Sequence, residues 1–225
     1  MPDSSEMPWL PLLLQCSDTA FPTGGFAHSG GLEGLAQLGH VTDIDTLRDF
    51  LRGPVLHNLQ HVDLPLVAHS YRAALRGDDR TLARLDDLSC ACRVPEELRE
   101  AARRSGRQRL ELLANALGQA GAFRPARTQA PVVSGIEAAH LGMPEGAALA
   151  GFAFQTLSGV TAAALKALRL GQTALQSALA EVLRDVPAAA ARAARLAEDD
   201  IGSFAPAWDI ASCRHRRAPS RLFLS

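Results

Sequence analysis

Four cysteines in 225 residues, at positions 16, 90, 92 and 213, form neither a Cys-x-x-Cys pair nor a dense framework. That excludes a disulfide-stapled secreted scaffold and points to a reducing, cytoplasmic setting. Positive charge is not in surplus: 23 Lys and Arg stand against 24 Asp and Glu, with a net charge of -1 and a pI of about 6.7. A nucleic-acid binder needs a concentrated cationic face, so that class is set aside. The N-terminus also lacks the Lys or Arg of a signal peptide. LLLQC at 12–16 follows Asp3 and Glu6, and Pro8 and Pro11 interrupt the apolar run, which argues against export. One uncharged stretch, 146–165, reaches the length of a membrane span, but it carries Gln155, Thr156, Ser158, Thr161 and three glycines. This is the composition of a buried helix in a soluble fold, with no membrane partner.

Sustained period-two alternation is absent as well, while alanine is abundant, so the dominant period is helical. Thr42 reads as an N-cap with Asp45 three residues on, and Ile44, Leu47, Phe50 and Leu51 then recur on one face. Gly53-Pro54 is expected to break or kink that helix. A new helix is expected from Asp63 to about Arg76, another through the 80s, and a long one from Pro95 to about Leu117 with an apolar stripe at Leu110, Leu113 and Leu117. Glu96 and Glu97 sit where the macrodipole favours negative charge. The stretch 118–131, rich in Gly, Pro and Thr, reads as a long loop, followed by helices at about 132–141, 145–168, 173–184 and 188–198. The expected fold is all-α: a single-domain bundle of eight to ten helices over 1–225, with a glycine-rich segment at 21–33 and a C-terminal tail at 202–225.

Reactive constellations are sparse. Gly25-Phe-Ala-His-Ser-Gly30 matches the front of a phosphate-binding loop, but Gly31 and Leu32 stand where its lysine and magnesium-binding hydroxyl belong, and no strand is expected before it. A nucleotide-dependent enzyme using this loop is therefore a minor alternative. His57 and His61 are four apart on a helix, a spacing that chelates transition metals, with Asp63 nearby and no identifiable third ligand. Cys213 and His215 are a second weak metal pair. A nickel-holding metallochaperone built on these residues is the other alternative. Cys90 and Cys92 read as buried core thiols. No nucleophile elbow and no triad is assembled by the scattered histidines. No cofactor is called for.

The two ends carry the strongest signals. FPTGGFAHSGGLE at 21–33 packs Gly24, Gly25, Gly30 and Gly31 around Phe26, His28 and Ser29, and the chain ends on apolar Leu222, Phe223 and Leu224 behind Arg214, His215, Arg216, Arg217 and Arg221. An exposed aromatic at a terminus gains about 1.5–3 kcal/mol on burial, and Arg and aromatic side chains are the usual interface anchors. The tail is expected to order on a partner.

These residues resemble the urease accessory protein UreF family. FPTGGFAHSGGLE looks like its N-terminal signature. His40-Val-Thr-Asp43, Asp63-Leu-Pro-Leu66, Leu170-Gly-Gln-Thr173 and Gly202-Ser-Phe-Ala-Pro206 follow in its order. Ile210-Ala-Ser212, Arg214-His215 and Ser220-Arg-Leu-Phe223 are similar to its C-terminal pattern. The resemblance implies an all-helical, non-catalytic, cytoplasmic assembly chaperone. It would form a homodimer, bind the accessory protein UreD (UreH), and recruit the nickel-carrying GTPase UreG, with an effect on its GTP hydrolysis. Docking on apo-urease would then serve nickel insertion. The residues so implied in partner binding are Gly24, Gly25, Phe26, Ser29, Gly31, Glu33, Arg214, His215, Arg221, Leu222 and Phe223, with Leu32 in the same motif. Two departures, Arg216 in place of a carboxylate and Pro219 in place of an aromatic, bear on the tail contacts.

Overall fold

Asp43, rather than Thr42, starts the first long helix. Its carboxylate accepts from the Thr46 backbone N–H at 2.9 Å while the Thr46 hydroxyl accepts from the Asp43 N–H, a reciprocal capping box one residue further on than the sequence suggests. From there the backbone stays helical through Ile44–Phe50 (α3), a π turn at Leu51–Val55, Leu56–Asn58 (α4), a second π turn at Leu59–Asp63, and Leu64–Leu75 (α5). Gly53-Pro54 therefore does not break the helix. A proline has no N–H and clashes with the carbonyl four residues back, and the widened turn holding Pro54 moves that carbonyl aside. Asp63 correspondingly lies within the rod instead of opening a new helix.

In this computed structural model residues 7–218 and 220–224 are described, Phe26 by its backbone alone, and among them there is no strand. The remaining helices are Leu10–Ser17 (α1), Leu32–Gln37 (α2), Asp79–Ala91 (α6), Glu96–Asn115 (α7), Ala130–His140 (α8), Glu145–Ala167 (α9), Gln172–Leu183 (α10), Val186–Ala193 (α11) and Pro206–His215 (α12). With α3 to α5 taken as one rod, the described residues hold ten separate helices, as expected of an all-α bundle. Three were not expected from periodicity, α1, α2 and α12.

Helix α9, the uncharged 23-residue segment, is long and apolar enough to cross a membrane, yet it packs against α1, α2, α5, α8, α10 and α11. Leu149, Ala153, Leu157, Ala163 and Ala164 line its inward side within the main core, with Leu32, Leu47, Leu51 and Leu179 opposite. A second cluster joins Val62 and Leu66 to Leu82, Leu85, Val132 and Ile136 between α5, α6 and α8. The loop before α8 is tied down by one carboxylate: Asp86 accepts the backbone N–H groups of Arg127, Thr128 and Gln129 at 2.6, 3.1 and 2.7 Å. Of these only Gln129, the N-cap of α8, is a donor that a helix start leaves without an intrahelical partner. Cys90 and Cys92 are only half-buried at the C-terminal end of α6, so the reading of both as core thiols is corrected.

Candidate functional site

The two unusual ends of the chain meet. Gly30 and Gly31 take positive φ values of 61° and 84°, and this pair of left-handed residues turns the chain into α2. Glu33 follows in the first turn of α2, its N–H donating to the Ser29 hydroxyl at 3.3 Å. Its carboxylate points away from solvent and is 4% exposed. Across it lies α12, whose inner face is Trp208, Ala211, Ser212 and His215, at the i, i+3, i+4, i+7 spacing of one helix side. Trp208 donates its indole N–H to the Gly30 carbonyl at 2.9 Å and meets the Phe50 ring edge-on. A Cβ on Gly34 would stand 2.6 Å from the Ala211 carbonyl oxygen, so α2 and α12 touch backbone to backbone.

Glu33 is the hub. One ring nitrogen of His215, Nε2, lies 2.9 Å from Glu33 Oε2, and the other, Nδ1, lies 2.9 Å from Glu97 Oε2. Carboxylates only accept, so filling both contacts takes the doubly protonated imidazolium. The carboxylate of Glu33 also accepts the backbone N–H of Leu222 at 2.8 Å and of Phe223 at 3.0 Å. Arg221, itself exposed, donates to the other Glu97 oxygen at 2.8 Å and sets a cation at the rim of the cluster. Beyond it Leu224 N–H donates to the Ala27 carbonyl at 2.7 Å and Gln37 Nε2 donates to the Ser220 carbonyl. Phe223 is 6% exposed in this cradle, with the Lys166 ammonium over its ring.

The residues marked in the sequence thus fall into two sets. Ser29, Gly31, Glu33, His215 and Phe223 are buried by the chain itself, whereas Gly24, Gly25, Arg214, Arg221 and Leu222 are exposed. The Phe26 side chain and Pro219 lie outside the described residues. Arg216 pairs with Glu96, so the charge reversal at that position is met within the chain. Cys213 is exposed while His215 has both nitrogens on carboxylates, so this metal pair is not brought together. The glycine loop forms a single 3-10 turn, Gly25–Ala27, and leads into the tail contact. Two site residues escaped the sequence reading. Glu97 was understood only as a helix-dipole residue, and Trp208 carried no signal beyond its rarity. Between the start of α7 and α12 runs a surface groove of about 850 Å³ lined by Val94, Glu96, Arg99, Ile210, Arg214 and Arg217.

Substituting Gly34 by Ala forces the α2–α12 contact apart. The expected cost is about 1–3 kcal/mol of overpacking, read as a lower urea midpoint. Gly146→Ala, where no atom stands within 4 Å of the added methyl, is the control expected to hold or slightly raise the midpoint, since alanine is the better helix former.

Known proteins resemble this chain over most of its length. The family model for UreF matches residues 41–183, the stretch between the two end motifs. Curated relatives extend the likeness over nearly the whole chain. The urease accessory protein UreF of Arthrobacter sp. (strain FB24) is 35% identical over 222 residues, covering 95% of this chain and 96% of that protein. That of Chromohalobacter salexigens is 36% identical over 216 residues, covering 95% and 93%. That of Rhodopseudomonas palustris (strain BisB18) is 34% identical over 211 residues, covering 92% and 88%. On the family match and on these full-length likenesses together, the chain belongs to the UreF family of urease accessory proteins, whose role is urease maturation.

Proposed function

We propose that this protein is a non-catalytic scaffold of the cytoplasm that dimerises, binds UreD (UreH), recruits the GTPase UreG and modulates its GTP hydrolysis. The assembly docks on apo-urease so that nickel, the cargo, reaches the active site. The observation that carries this reading is the joining of both end motifs into one surface by Glu33. The buried members of the motif hold the tail in a fixed path, and the exposed ones, Leu222 at 67% and Leu224 at 52% exposure with Arg214 and Arg221 beside them, are presented outward. Phe223 anchors inward on the body of the chain while its neighbours face solvent. Apolar side chains flanked by arginine are the composition of an interface anchor. The groove beside α12 extends the same face.

The test separates the anchor from the presented face. Leu222→Asp combined with Leu224→Asp leaves the buried contacts intact and is expected to keep the urea midpoint while lowering co-purification with UreD by about tenfold or more, the loss of a typical hot spot. In cells expressing urease with its accessory proteins, the same variant is expected to lower urease activity and nickel content together. Undiminished co-purification with full urease activity overturns the reading.

A further inference from the structure

The two histidines on the rod, left aside by the scaffold role, are arranged for a metal ion. His57, exposed on α4, and His61, in the second π turn, stack with ring centroids 4.2 Å apart and planes 38° from parallel. The His61 Nδ1 lies 3.0 Å from the His57 carbonyl oxygen. Only an N–H makes that contact, so Nδ1 carries the hydrogen and the Nε2 lone pair is left for another group. A backbone carbonyl on the far nitrogen is how metal-ligating histidines are usually oriented. At Nε2 stands a replaceable donor, the side-chain amide of Gln60 at 3.1 Å, whose oxygen takes a hydrogen bond from Arg192.

The ring spacing is consistent with chelation. A metal–nitrogen bond of about 2.0–2.1 Å places a ring centroid about 3.2 Å from the ion, and two such rings at a right angle have centroids about 4.5 Å apart. The observed 4.2 Å requires only a slightly smaller angle. The π turn at Leu59–Asp63 is part of the arrangement, since it sets the direction in which His61 leaves the rod. Nearby Asp63 is taken by Arg93 and Asn58 and does not join. Among the described residues no third His, Cys, Asp or Glu completes a cluster.

We propose that His57 and His61 form a bidentate surface site for a borderline divalent metal ion of the Ni2+, Cu2+ or Zn2+ class, with water in the remaining coordination positions. Imidazole suits these ions, and the Irving–Williams order makes Cu2+ the tightest of them. The site is independent of the tail and of any partner, so it stands or falls separately from the scaffold role.

The experiment titrates the full-length chain with Cu2+ and with Ni2+ against a competing chelator. It uses a Cys213→Ser background, because that thiol is exposed and soft ligands take Cu(I) and Zn. One ion per chain is expected, with copper resonance spectra showing two imidazole nitrogens. His57→Ala and His61→Ala are each expected to weaken binding by about tenfold or more, on the scale of a lost ligand contact. His57 is exposed, so that variant is expected to retain the wild-type circular dichroism and urea midpoint. Binding that is unchanged in the His57→Ala/His61→Ala double variant, or a wild-type chain that takes up no ion, overturns the proposal.

Discussion

Replacing Glu33 by Ala is expected to release the C-terminal segment and to cost about 3–5 kcal/mol of stability, the range for removing one partner of a buried ion pair. Among the described residues the carboxylate is the single acceptor for His215 Nε2 and for the backbone N–H groups of Leu222 and Phe223. Without it His215 Nε2, on a side chain 1% exposed, and two backbone donors lose their acceptor at once. Hydrogen exchange is the direct measurement. Amides of 222–224 are expected to exchange at unfolded-chain rates in the variant while those of α9 stay protected. Glu33→Gln retains one acceptor oxygen and is expected to fall between. A Glu33→Ala/His215→Leu double variant removes both charges and is expected to recover part of the loss, which identifies the charge pairing rather than side-chain bulk as the cause. Native-like protection of 222–224 in Glu33→Ala would falsify this account of the tail.

Arg109→Ala is expected to be the second large loss, again about 3–5 kcal/mol. This α7 guanidinium is 4% exposed and bonds the equally buried Glu137 of α8, the Gln155 side chain of α9 and the Cys16 carbonyl of α1. One side chain thus ties four helices. Burial pushes the Glu137 carboxyl above its ordinary value, and Arg109 is the chief opposing influence. Removing Arg109 drives it further up. The native state of the variant then holds the Glu137 proton more tightly than the unfolded chain does, so its stability falls as pH rises above the ordinary carboxylate value of 4.5. The deficit relative to wild type is therefore expected to be larger at pH 8 than at pH 5, measured by urea unfolding at both. A deficit that does not change with pH sinks the assignment to an unpaired Glu137. Arg109→Met with Glu137→Leu, which leaves no buried charge, is expected to regain most of the loss. Cys16, against the same pair, has its thiol pushed up to about 12 by burial and by the Glu137 charge, so alkylation of that thiol reports unfolding of this junction.

Local patterns were legible wherever an element answers to its own residues. The apolar faces of α3 and α7 follow from spacing alone, because burial on one side of a helix repeats every three to four positions. The ends of the chain stood out by composition, and the order of their motifs was sufficient to suggest the family. Helix α12 was missed for a physical reason: its inner face has the right spacing but is built of Trp208, Ala211, Ser212 and His215, so no apolar stripe marks it. The rod from α3 to α5 was misjudged at Gly53-Pro54 because local rules for proline do not count what surrounding helices hold in place. With Leu51, Val55, Leu56 and Leu59 buried along it, packing keeps the rod together through two widened turns.

Sequence by itself determined the helical class, most element positions, and that residues 21–33 and the last dozen are special. Only the tertiary structure decided what those ends do to each other. Glu33 and His215 are 182 positions apart, and no periodicity carries information over that separation. Their pairing is set by where α2, α7 and α12 come to rest once the core closes around α9. A carboxylate that looked like the first-turn residue of a short helix became the acceptor that holds the other end of the chain.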